Sequence, residues 1–143
     1  YKAWQRSLQA TTRTKQYAEK KKELKVEKYA DGGGGARVRM MVRGDSLVVR
    51  TCPNVRWKYG ENERDCLCGS LETERHVLLH CPLYDLHRMR WIREWEVVRP
   101  GIDPMEGVIG LIPEIPKLLE KEMLKSLANI WKARERNEAR RAQ

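Results

Sequence analysis

The chain has 143 residues and a formal charge of +9, and charged side chains make up 34% of it, against about 25% in an average globular domain. No apolar run comes near the roughly 18 residues a membrane span needs, so a transmembrane segment is excluded, and no secretory leader is visible. Phe is absent, which leaves five Trp and five Tyr as the aromatic bulk of one compact domain, or of a smaller domain with appended helices.

The first residue is Tyr1 rather than Met, so the sequence is expected to be a piece of a longer protein. Residues 1–30 lack Pro and Gly and carry nine Lys/Arg against three Glu, a local charge of +6. They read as a basic helical arm. Its apolar positions (Trp4, Leu8, Tyr17, Leu24 and Val26) form a ragged stripe that needs a partner. The DGGGG run at 31–35 reads as a flexible joint, because successive glycines lose the most entropy in any regular element. It is taken as the boundary between the arm and a core at 36–98.

ARVRMMVRGDSLVV predicts a short helix stopped near Gly44 and then an apolar stretch. Arg37, Arg39 and Arg43 share one face of that helix and make a basic group. Residues 51–65 are rich in turn formers: Pro53, Asn54, Gly60 and Asn62. Within them Arg56 and Lys58 flank Trp57, just ahead of Tyr59. A loop alternating cations with aromatics can stack on unpaired bases. Trp is usually buried for its apolar area, however, and packing of Trp57 over the neighbouring cysteines is the preferred reading.

CLCGSLETERHVLLHC, residues 66–81, holds three of the four cysteines and two of the three histidines. Thr73 is a good N-cap for a helix beginning at Glu74. The ligand spacing is Cys66-x-Cys68-x7-His76-x4-Cys81. Two thiolates on a tight knuckle, with Gly69 free to take positive φ, face two further ligands on the following helix. That is the donor set of tetrahedral zinc, and soft thiolates with an imidazole select zinc over magnesium or calcium. His76 and Cys81 are five apart, about 500° of α-helical rotation. They converge only if the helix ends or bends at Cys81, which Pro82 assists. His80 is the reserve fourth ligand. Cys52, outside the cluster, reads as a small buried residue. Cys66 and Cys68 are too close for a comfortable disulfide, and no isolated nucleophile is left for cysteine–histidine catalysis.

PLYDLHRMRWIREW sets Tyr84, His87, Arg88, Trp91 and Trp95 along one side of a helix. After the RPGIDP loop, a last helix starts around Pro113 to Pro116, with Leu119, Met123, Leu127, Ile130 and Trp131 as its apolar stripe. Residues 99–143 thus form a C-terminal helical region with a basic tail. Little strand signal is present. The expected fold is mainly α: a small zinc-stapled helical domain, a CCHC knuckle plus helices, with a long basic N-terminal helix and an amphipathic C-terminal helix.

Residues 31–130 carry fifteen charges of each sign, while residues 131–143 carry five Lys/Arg against two Glu. A neutral body with basic ends attracts polyanions, nucleic acid first among them. The expected phosphate contacts are Lys20, Lys21, Lys22, Lys25, Arg37, Arg39, Arg43, Arg56, Lys58, Arg134, Arg136, Arg140 and Arg141, with Trp57 offered to a base. Plain solvation of basic helix faces is the alternative.

CLCGSLETERHVLLHCPLYDLHR resembles the zinc-binding segment near the C-terminus of non-LTR (LINE-type) retrotransposon reverse transcriptase polyproteins. The matching positions are Cys66, Cys68, Gly69, Glu72, Thr73, His76, Leu78, Leu79, Cys81, Pro82, Tyr84 and Arg88. RVRMMVRGDSL resembles the Arg-rich helix and turn that precede this segment, and the likeness spans residues 36–95. It departs from many relatives in having C-x-C for the first pair rather than C-x2-C. The resemblance implies a module downstream of a reverse transcriptase, in an intracellular, nuclear protein that contacts RNA template or target DNA. Its partners would be nucleic acid and the missing upstream domains of the same polyprotein, with no membrane. Some such elements add a nuclease with a Pro-Asp and a Glu-x-Lys pair. Here Asp103 precedes Pro104, Glu114 stands three before Lys117, and Glu106 is the remaining carboxylate. The isolated chain is therefore expected not to be an enzyme. The alternatives are a zinc-stabilised scaffold without nucleic-acid binding and, least favoured, a metal-dependent nuclease.

Overall fold

The computed structural model describes residues 33–112 and 114–142. Helix α4, Lys117–Arg141, is its spine. The expected stripe Leu119, Met123, Leu127, Ile130 and Trp131 is buried, joined by Ser126 and Arg134. Helices α1, Gly34–Arg43, and α2, Asp85–Val98, pack on it, and the short α3, Pro104–Ile109, packs on α1. The domain is mainly helical. Among the described residues the only strand-like feature is one antiparallel bridge, Asp65 to Leu71. No helix among them is long and apolar enough to cross a membrane.

Helix α1 stops where expected, with the Gly44 amide returning to the Met40 carbonyl. Its start corrects the reading of the glycine run. Gly34 and Gly35 form its first turn rather than a joint. The reason is close approach: a Cβ on Gly35 would overlap the Leu124 carbonyl of α4, and one on Gly34 would lie 3.1 Å from Ala128 Cβ. Missing side chains let the two backbones touch, and that packing outweighs the entropy glycine loses in a helix. The basic arm over 1–30, including Lys20, Lys21, Lys22 and Lys25, lies outside the described residues, as do positions 31 and 32.

A second correction concerns the arginines of α1. Arg39 and Arg43 are each 4% exposed and cannot serve as phosphate contacts, whereas Arg37 is exposed. Their face also carries Val38 and Val42, so it points inward. Arg39 donates from Nε to Val108 O at 2.9 Å and from Nη2 to Gly107 O at 3.1 Å, and its Nη1 pairs with Glu120 at 2.5 Å. Arg43 Nε donates to Ile109 O at 2.6 Å. The last carbonyls of a helix have no intrahelical partner, so these two arginines cap α3 and tie it to α1.

Tyr84, just ahead of α2, and Arg88, Trp91 and Trp95 on it face inward as expected, with the two indoles edge to face at 6.4 Å, while His87 is exposed. Asp103 caps α3 by accepting the Met105 amide at 3.0 Å, and it pairs with Arg75 at 2.6 Å. The cysteine loop and the segment before it are held to α4 by charge. Glu72, 1% exposed, accepts from Arg134 at 2.6 Å and from the Arg50 amide at 2.8 Å. Arg134 is therefore another buried arginine rather than a phosphate contact. Arg50 reaches Glu138 at 2.9 Å and the Glu63 carbonyl at 2.6 Å.

Two measurements test this packing. Gly→Ala in a helix ordinarily stabilises by roughly 0.5–1 kcal/mol. Gly35→Ala should instead cost about 1–3 kcal/mol in chemical denaturation, because α1 and α4 must part. For the second, burial works against the Glu138 charge, but the Arg50 hydrogen bond, with Arg134 and Arg141 nearby, outweighs it and holds the carboxyl below its ordinary 4.5. A carboxyl depressed on folding stabilises fully above its unfolded value and loses that contribution as pH falls through the folded one. Acid titration should show stability falling below about pH 4.5, with a shallower fall in Glu138→Gln.

Candidate metal centre

The site begins with a tight loop whose base is the Asp65–Leu71 bridge. Cys66 N–H donates to Ser70 O at 2.7 Å and Gly69 N–H to Cys66 O at 2.9 Å. Gly69 sits at φ 99°, a conformation that glycine takes without strain. Two thiols two residues apart are thereby presented on one edge. Thr73 Oγ1 then accepts the His76 amide at 3.0 Å and caps the next turn as expected.

That turn solves the spacing problem. Residues His76–His80 are π-helical, and Cys81 N–H bonds the carbonyl of His76, five residues back, at 2.6 Å. An i→i+5 hydrogen bond widens the turn, so a residue and its fifth successor come to lie on one side. Cys81 leaves in an extended conformation, and Pro82 opens the 3₁₀ turn Pro82–Tyr84. Val77, Leu78 and Leu79 anchor the wide turn in the core. Buried Arg88 donates to the carbonyls of Val77, at 3.3 Å, and Cys81, and pairs with Asp85.

Cys66, Cys68, His76 and Cys81 come together as expected. Their ligand atoms all lie within 4.8 Å of one another and could bind one metal ion. Cys66 Sγ is 3.6 Å from Cys81 Sγ, and Cys68 Sγ is 3.2 Å from His76 Nε2. The reserve ligand His80 is exposed and outside the group. Cys52 is buried, its Sγ 3.7 Å from the Asp45 carbonyl, and it too stands apart. Asp103, Glu106 and Glu114 belong to no such group among the described residues.

Three thiols this close cannot all ionise unaided. Burial pushes Cys81 up to about 12, with Cys66 beside it adding to the rise. Burial also raises Cys66, against the help of the Cys68 amide. Burial opposes ionisation of Cys68 as well, but there the Ser70 amide and the neighbouring thiols prevail and lower it below the ordinary thiol value. His76 is lowered by burial and by nearby His80, which keeps it neutral, the form that ligates. A bound cation reverses the thiol repulsion, so ion binding and thiol deprotonation are one event.

The residues expected at a nucleic-acid surface divide. Arg37, Arg56, Trp57, Lys58, Arg136 and Arg140 are exposed. Arg39, Arg43 and Arg134 are buried, and half-buried Arg141 donates to the Asp65 carbonyl at 3.1 Å. Trp57 does not pack over the knuckle. It is 74% exposed, in the 3₁₀ turn Arg56–Lys58, with its indole N–H donating to Asn54 O at 3.0 Å. Lys58 Nζ lies 5.5 Å from the ring centroid, and Arg50 stacks on Tyr59 at 4.5 Å. The burial of Glu72 was not foreseen, because an isolated Glu between Leu71 and Thr73 carries no sign of it in the sequence. It also placed Arg88 on the inward side without foreseeing that it holds the cluster's carbonyls.

No protein-family model, curated protein or solved structure matches the chain. Fold and site define a small, mainly helical domain with a three-cysteine, one-histidine cluster able to bind one metal ion.

Metal analysis should find one ion per chain. Cys66→Ser/Cys68→Ser should lose it, and His80→Ala should keep it. Since Cys66 and Cys81 are protonated without metal, loading should release protons and weaken as pH falls, measurable by calorimetry in buffers of different ionisation heat.

Proposed function

We propose that the chain is a zinc-stabilised nucleic-acid-binding module from the C-terminal part of a retrotransposon-type reverse transcriptase protein, contacting single-stranded RNA template or target DNA. Zinc suits the cluster in donor type and shape. Bonds of about 2.3 Å to sulfur and 2.0–2.1 Å to nitrogen set tetrahedral ligand atoms roughly 3.5–3.8 Å apart. The 3.6 Å and 3.2 Å separations lie near that range. Three thiolates with one imidazole make a closed set with no position for substrate, which supports a structural ion and a chain that carries no catalysis of its own. The retroelement origin, and with it an intracellular, nuclear setting, is supported by the motif at 66–88. Within it Glu72, Thr73 and Arg88 each hold the cluster's frame.

One observation carries the binding reading: Trp57 stands out of the surface between two cations. A large apolar ring left in water, with its N–H already satisfied by its own loop, presents a free face for a base. Exposed Arg37, Arg136 and Arg140 add phosphate contacts. The second reading, a zinc-stabilised scaffold, is favoured by Leu86, Met89 and Val97, exposed on α2 opposite the Trp91 and Trp95 face.

Titration of single-stranded RNA and duplex DNA separates the two. The metal-loaded chain should bind at about 100 mM salt and weaken steeply as salt rises. Trp57→Ala should weaken single-strand binding about 5- to 100-fold without changing thermal stability, and Arg56→Ala or Lys58→Ala should each lower the salt slope by about 0.7. Binding that is absent at that salt, or that ignores salt, leaves the scaffold.

A further inference from the structure

Helix α4 sorts its charges. It carries four glutamates, and three of them, Glu120, Glu122 and Glu138, are taken up by Arg39 of α1, Arg90 of α2 and Arg50 of the segment before the cysteine loop. Its cations Lys117, Lys121, Lys125, Lys132, Arg136 and Arg140 are all exposed, and none has an ion-pair partner among the described residues. Glu135 is the one acid the helix leaves exposed beside them.

These six positions fall within about 140° of the helix circumference and run about 35 Å along it. Lys117, Lys121 and Lys125 follow one another at intervals of four, and so do Lys132, Arg136 and Arg140. Like charges at i and i+4 repel and destabilise a helix. No ion pair among the described residues relieves that repulsion, because three of the four glutamates face other elements.

A straight line of unpaired cations fits a straight line of fixed anions. A duplex carries one negative charge per roughly 1.7 Å of its axis, and its persistence length of about 50 nm keeps it straight well beyond the length of α4. A single strand would lose its freedom by lying along the helix, a cost that a duplex does not incur. An anionic lipid surface is a poorer match. A helix lying on a membrane buries an apolar face in it, but α4 turns that face to the core and exposes Leu118 as its one large apolar side chain. No aromatic ring stands on the stripe to stack on a base, and phosphate contacts carry no sequence information.

We infer that the outer face of α4 is a phosphate-binding surface for duplex nucleic acid, which it holds without regard to sequence. The inference rests on the nucleic-acid reading above and deepens it with a second surface, which takes a duplex where the Trp57 turn takes a single strand.

The test follows fluorescence anisotropy of labelled nucleic acids with the metal-loaded chain at rising salt. The probes are two DNA duplexes of unrelated sequence and about 20 base pairs, longer than the stripe, a duplex RNA of that length and a single-stranded RNA. Phosphatidylserine vesicles are followed by co-sedimentation. The two DNA duplexes should bind equally tightly, and comparison with the duplex RNA shows which helix form the surface prefers. Lys121→Gln/Arg136→Gln should weaken duplex binding about tenfold or more at about 100 mM salt and lower the salt slope by about 1.8. Its thermal stability should hold or rise, since like charges are removed. Arg75→Gln/Arg93→Gln takes the same charge from exposed residues off the stripe and should leave the slope unchanged. The surface is overturned if no duplex binds, if one DNA sequence is strongly preferred, or if both pairs of substitutions act alike, as a merely solvated basic face would. Vesicle binding lost in Lys121→Gln/Arg136→Gln, beside duplexes that do not bind, would assign the face to lipid instead. Single-strand binding that depends on Trp57, without duplex binding, would sink the α4 surface and keep the module's proposed function. Duplex binding through the stripe, without any single-strand binding, would keep the α4 surface and remove the Trp57 contact that carries the reading above.

Discussion

Two ligands five residues apart point to different sides of an ordinary α-helix, and one ion needs both. The hydrogen bond from Cys81 N–H to the carbonyl of His76 removes that conflict, and much of the nearby structure serves to keep it. A π-type turn is a poor local bargain for the backbone and persists only where its surroundings over-determine it. Here Val77, Leu78 and Leu79 fix the turn from the core, Thr73 fixes its start, and Arg88 takes two of its carbonyls. Pro82 ensures that the chain does not continue the same helix beyond Cys81.

The same economy governs charge. Arg39, Arg43, Arg88 and Arg134 are buried, and each holds carbonyl oxygens or a carboxylate. The planar guanidinium with its five donors suits this work, since it can fill several acceptors at once while its stem packs against apolar neighbours. Among the described residues the exposed cations include Arg37 on α1, Arg56 and Lys58 beside Trp57, Arg75, Arg90 and Arg93, and those on the outer face of α4.

Features set by local chemistry were legible in the sequence. The stop at Gly44, the Thr73 cap and the stripe on α4 follow from residue type and spacing over a few positions, while Cys81 was preferred over the better-spaced His80 for its thiol. Features set by a distant partner were not. The glycine run reads as flexible until Leu124 and Ala128 are brought against it. Arg39 and Arg43 read as a solvent face until the end of α3 supplies carbonyls in need of donors. Trp57 failed for the opposite reason. Its burial was expected from residue type, yet its own loop satisfies the N–H, and the ring stays 74% exposed with only the Lys58 ammonium over it.

The link between Glu72 and Arg134 spans 62 residues, whereas the ligands themselves fall within one short segment. Short loops close quickly and long ones slowly. Capture of an ion is thus a local event, open to the segment before α4 has docked. Escape from the finished domain is a different matter, because the loop carrying the first two sulfurs is fastened through Glu72 and Arg50 to the far half of α4. A short, local ligand segment is thus tied, through Glu72 and Arg50, to the helix most remote from it in sequence.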